Sequence, residues 1–217
     1  MCFSASASFT AAAVTGVVGV MAMGKASGWQ EKPLAGIPLI FAAQQATEGS
    51  LWLALGGMHL AIATSLLTNA YTFVALVVWP IYAPLAVALV EPNRRRRLLM
   101  LGLGAMGVVV ALYGATHISL HPFTACIVGH SLSYTNGPPH PHLRIGAYEA
   151  CTCLAFLLSS HRAIRWFGAL VIAGLIASTL FFFWTRFSVW CFFAALASAT
   201  LYWHFAAARR AELNSGM

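Results

Sequence analysis

The sequence predicts an all-α, polytopic membrane protein with about seven transmembrane helices, its amino terminus outside and its carboxyl terminus in the cytoplasm. Composition, seven long apolar runs and a one-sided distribution of basic residues predict it. Of 217 residues, 60% are hydrophobic and 8% charged, with a mean hydropathy of +0.79. A soluble domain of this size cannot hide so much apolar surface, because its exterior must still meet water. Lipid removes that constraint.

Crossing ~30 Å of hydrocarbon takes roughly 20 residues of helix. The first run, Ala5–Gly24, has no positive charge ahead of it; Lys25 follows it. A signal peptide carries its charge before the apolar stretch, so this helix is expected to stay in the membrane. The second run, Pro33–Leu55, is apolar apart from a short polar stretch near its centre. The third, Ile62–Val90, is long and contains Pro80 and Pro84, which predicts a kink or tilt. The fourth, Leu98–His117, follows four arginines, and the fifth, Ile145–Ser160, is the shortest. Ala163–Trp184 and Ser188–Ala208 complete the set. All belong to a single domain over 1–217, with one long outer loop at about 118–144.

Charge fixes the orientation. With the amino terminus outside, the inner side holds Lys25, Lys32, Arg94, Arg95, Arg96, Arg97, Arg162, Arg165, Arg209 and Arg210, leaving Arg144 and Arg186 outside. That is the positive-inside pattern, and it identifies the bilayer as the basic chain's partner and excludes nucleic acid. A plasma (inner) membrane location follows. Lys25 and Lys32 both fall in a loop, so no lysine is available within the bundle for a retinal Schiff base.

The chain has no aspartate and five glutamates. Glu31, Glu91 and Glu212 read as solvated residues of the cytoplasmic side. Glu48 and Glu149 fall inside spans two and five, each roughly 5 Å outward of the midplane at ~1.5 Å per residue. A carboxylate in hydrocarbon costs about 3 kcal/mol at a helix centre, so it requires a partner, a proton or a metal. Gln44, Glu48 and Trp52 recur at i, i+4 and i+8 with Gln45 beside them, a polar stripe that must face the bundle interior.

His117 and His121 stand one helical turn apart if span four continues to Pro122, and His59, His130, His140 and His142 also map outside or to the outer rim. Imidazoles at i, i+4 can share one metal, and a carboxylate can complete the site with zinc, copper or iron. The expected metal set is Glu48, His117, His121 and Glu149. His204 has no histidine partner at equal depth, which argues against haem. Cys2, Cys126 and Cys191 map to the outer side and could supply a disulfide; Cys151 and Cys153 read as small hydrophobes.

Four motifs carry a resemblance: the opening Met1-Cys2-Phe3-Ser4-Ala5, Gln44-Gln45-x-x-Glu48-Gly49-x-x-Trp52, Ser159-Ser160-His161-Arg162, and Ser188-Val189-Trp190-Cys191-Phe192-Phe193-Ala194-Ala195. On these the chain resembles an uncharacterised bacterial seven-helix integral membrane protein family, a domain of unknown function. The resemblance covers nearly the whole chain and implies architecture, not activity.

The leading functional expectation is a metal-binding membrane enzyme, a hydrolase or oxidoreductase, with an outward-open site. Glu48 and Glu149 would be catalytic, and Gln44, Gln45 and Trp52 would bind a small-molecule or lipid substrate. The alternative is a proton-coupled small-molecule transporter in which Glu48 and Glu149 carry protons and Gln44 and Gln45 hold the solute. A third reading, an assembly factor or sensor, gives the buried polar groups only a packing role.

Overall fold

A computed structural model describes residues 4–58, 61–136 and 146–215. Among them the chain forms seven helices: α1 (Ala5–Met23), α2 (Lys32–Leu53), α3 (Ala61–Val90), α4 (Arg94–Leu120), α5 (Gly146–Leu158), α6 (Arg162–Phe181) and α7 (Phe183–Ala207). Five of them, α1, α3, α4, α6 and α7, are long and apolar enough to cross a membrane. The polar stripe dilutes α2, and the described part of α5 is short.

One element was not expected. The loop at 118–144 contains an antiparallel hairpin, β1 (Thr124–Val128) and β2 (Ser131–Thr135), with Cys126 opposite Ser133 and Ile127 opposite Leu132. The all-α expectation is therefore corrected to a mostly helical fold with one two-stranded sheet. Gly129, at φ 60°, sits in the two-residue turn, where a residue with a Cβ would be strained. The hairpin is not a surface appendage: Ser131, Leu132 and Ser133 are buried, and the Ser133 hydroxyl donates to the Trp184 carbonyl at 3.1 Å.

Neighbouring helices run antiparallel, and glycines set how closely they meet. Phe9 of α1 lies 3.0 Å from where a Cβ on Gly49 would stand, and Gly16 faces Ala42. On α4, Gly104, Gly107, Ala111 and Gly114 are buried toward α3. A Cβ on Gly107 would overlap the Pro80 carbonyl, and one on Gly114 would stand 3.1 Å from the Leu76 carbonyl. Small residues at these positions let the two backbones come into direct van der Waals contact.

The predicted kink in the third span takes the form of a π turn at Val74–Val78, within a helix that stays continuous through Pro80. Proline cannot donate to the carbonyl four residues back, and the widened turn absorbs that mismatch. Two more π turns occur at Ala54–Met58, just after α2, and Ala150–Leu154, in α5.

Candidate functional site

The helix geometry divides the molecule into two ends. The hairpin covers one. Lys25, Lys32, Arg94 to Arg97, Arg162 and Arg165 mark the other, the arginine end. Between them, α2 and α7 pass each other carrying a column of polar side chains.

Glu48 is the centre of that column. It is fully buried. Ser188 of α7 donates its hydroxyl to Oε1 in a short hydrogen bond, and Gln45 Nε2 donates to Oε2 at 3.3 Å. Both donors are neutral. One turn toward the arginine end, Gln44 bridges three helices: its Oε1 accepts from Trp79 Nε1 at 2.9 Å, and its Nε2 donates to Cys191 Sγ at 3.6 Å. The stripe on α2 therefore faces inward, as its spacing predicted. Ser188 and Cys191, three residues apart on α7, are the partners that sequence reasoning passed over. Their signal was available, since both belong to the Ser188–Ala195 motif.

Among the described residues, several buried polar atoms in this region lack a hydrogen-bond partner: Gln45 Oε1, Trp52 Nε1 and Ser8 Oγ, while the Tyr71 hydroxyl lies against the Cys191 thiol. The antiparallel α1–α2 register, in which Phe9 meets Gly49, brings Ser8 within one helical turn of the level of Glu48. Toward the hairpin, Tyr71 stacks on Tyr134 of β2 with centroids 4.6 Å apart, and Trp52 packs in the same cluster. A buried donor or acceptor left unmatched costs about 1–3 kcal/mol, so such a group normally meets water or a ligand.

Toward the arginine end lies an apolar cavity of about 30 Å³ lined by Phe41, Trp79, Tyr148, Phe167, Trp190 and Cys191, among others. Its rings are tethered. Phe41 stacks on Trp79 at 4.3 Å, Trp190 Nε1 donates to the Val171 carbonyl, and the Tyr148 hydroxyl donates at 2.7 Å to Ala75, whose carbonyl lies in the α3 π turn.

The remaining expected site residues lie elsewhere. Glu149 is half-buried within electrostatic reach of Arg186, and the hydrogen bonds at Glu48 do not include it. His117 and His121 do pair across one turn, with rings stacked at 5.1 Å, but His117 Nε2 meets the Asn136 carbonyl at 2.6 Å. Among the described residues, no three of the histidines, cysteines and glutamates come together as metal ligands. The four-residue metal set Glu48, Glu149, His117 and His121 is thus not brought together. Equal depth of the two glutamates does not give a shared face, and α5 presents Tyr148 and Thr152 to the apolar cavity. His59, His140, His142 and Cys2 lie outside the described residues.

Three smaller expectations change as well. Cys191 is buried against Gln44 and is a free thiol, as is exposed Cys126, so these two form no disulfide. His204 does have a histidine beside it: the His161 ring, on the α5–α6 turn, stands 4.8 Å away. Glu91 is not solvated but 2% exposed. It accepts from the Ser160 hydroxyl (2.5 Å) and N–H (2.7 Å), the Ser159 hydroxyl and the Asn93 N–H. Burial pushes its carboxyl up, yet these bonds together outweigh burial and hold it below the ordinary value of 4.5.

Residues 1–215 match the model of a family of unknown function, DUF6629, in agreement with the near-full-length resemblance carried by the four motifs. No curated protein and no solved structure matches the chain.

Proposed function

We propose that this chain, which belongs to DUF6629, is a seven-span plasma-membrane protein that moves a small polar solute together with a proton, with Glu48 as the proton-carrying group. The amino terminus faces outward, the carboxyl terminus the cytoplasm. Five helices of spanning length and the gathering of basic side chains at one end support this orientation.

One observation carries the mechanism: a fully buried carboxyl that, among the described residues, is hydrogen-bonded by neutral groups alone, beside polar atoms without partners there. An acid held this way in a bundle interior is characteristic of proton relays, since a proton cancels its charge and ligands can exchange against it. Gln45 Oε1 offers an acceptor and Trp52 Nε1 a donor, which suits a solute carrying both. Gln44, whose two ends are already engaged, is a brace rather than a solute ligand. The solute enters at the hairpin end, past Glu149 and Arg186, beneath the stacked Tyr71 and Tyr134.

A pH step on proteoliposomes adsorbed to a supported membrane tests this reading. Wild-type protein should give a transient charge movement, and Glu48→Gln should abolish it. An undiminished signal in Glu48→Gln overturns the proposal.

A further inference from the structure

At the arginine end, two cations converge on one turn. Arg96 Nη1 of α4 donates to the Leu158 carbonyl at 3.2 Å. Arg165 Nη1 of α6 donates to the Ser159 and Ser160 carbonyls at 2.9 and 3.0 Å. Three consecutive carbonyls thus gather two guanidinium groups from different helices, and both side chains are exposed. Each guanidinium has five N–H donors, and these bonds use one nitrogen of each.

Two like charges on one turn favour an anion beyond the single negative charge that Glu91 supplies, and among the described residues the carboxylates direct their oxygens elsewhere. Glu91, bonded to this same turn, gives its oxygens to Ser159, Ser160 and Asn93. Glu31 accepts from the Ser27 N–H. Arg94, Arg95 and Arg97 add three more exposed cations on the first turn of α4.

The apolar surroundings indicate the source of the anion. Trp166, adjacent to Arg165, is 57% exposed, and Leu98 and Leu99, directly after Arg97, are 55% and 57% exposed. A basic rim that passes within one residue into exposed leucine and tryptophan matches the boundary between lipid headgroups and acyl chains. Guanidinium forks suit phosphate oxygens in particular.

We infer that Arg96 and Arg165 form a cradle for the phosphate of an anionic phospholipid, flanked by Arg94, Arg95 and Arg97. The inference rests on the proposed membrane orientation but not on the proton chemistry at Glu48, so an unchanged pH-step signal leaves it standing.

The test is native mass spectrometry of protein released from vesicles of equal phosphatidylglycerol and phosphatidylcholine. Wild type should retain phosphatidylglycerol selectively. Arg96→Gln and Arg165→Gln should each weaken retention about fivefold, while Arg186→Gln at the hairpin end leaves it unchanged. In a second arm, which needs no variant, melting of the wild-type protein in detergent should rise with added phosphatidylglycerol and not with inorganic phosphate. Equal retention of both lipids, or an equal response to inorganic phosphate, overturns the assignment.

Discussion

Ser188 on α7 donates its hydroxyl to Glu48 on α2, joining two helices that are 140 residues apart in the chain. The bond fixes the carboxyl between two neutral donors, and its removal separates structural from functional effects. Glu48→Gln keeps an acceptor for Ser188 and should leave melting in detergent within about 1 kcal/mol of wild type. Glu48→Ala removes the acceptor shared by the Ser188 hydroxyl and Gln45 Nε2 and should cost about 1–3 kcal/mol. Equal melting of the two variants would show that the carboxyl has no structural partners.

Trp52 makes the converse case. Its indole N–H is buried with no acceptor, so Trp52→Phe removes a desolvated donor while keeping an aromatic ring. Melting should hold or rise, whereas the solute-dependent part of the charge movement should fall. A drop in both would make Trp52 a packing residue.

The glycine contact between α3 and α4 predicts opposite signs at two nearby positions. Gly107→Ala drives a methyl group into the Pro80 carbonyl, which a main chain cannot yield cheaply; the loss should be at least about 1–3 kcal/mol. A Cβ on Gly102 meets only open space, so Gly102→Ala should stabilise by up to about 1 kcal/mol through helix propensity. Thermal melts of both variants in one detergent decide it, and similar shifts would refute the close approach.

Glu91 should govern the acid limb of stability. Its pKa is lower folded than unfolded, so its contribution is fully present above the ordinary value of 4.5 and is lost as pH falls through the lower folded value. Wild type should therefore lose melting temperature more steeply than Glu91→Gln as pH drops below about 4.5. Parallel curves would mean that the bonds from Ser159, Ser160 and Asn93 do not discriminate between the two charge states.

The helices were legible because their apolar runs are long and uninterrupted, and the inward-facing stripe Gln44, Glu48, Trp52 was legible because helical spacing fixes a common face. The hairpin was passed over: its strands, Thr124–Val128 and Ser131–Thr135, are only five residues each, and the Gly129-His130 turn between them was the one local signal. The proposed partnership of Glu48 with Glu149 failed for a different reason. Depth can be counted along a helix, but rotation about its axis depends on neighbours, and the hydrogen bonds at Glu48 come from Ser188 and Gln45. Glu91 looked solvated because its span ends there; apart from the Asn93 N–H, its partners come from the Ser159–Ser160 turn, far along the chain and beyond any local pattern.

The close fit of Gly107 against Pro80 also bears on motion. Residues 91–93 are all that link α3 to α4, and backbones that touch leave no room for an acyl chain or a third helix between them. The two helices therefore behave as one rigid hairpin, so that a displacement of α3 at Pro80 is passed to α4 without loss.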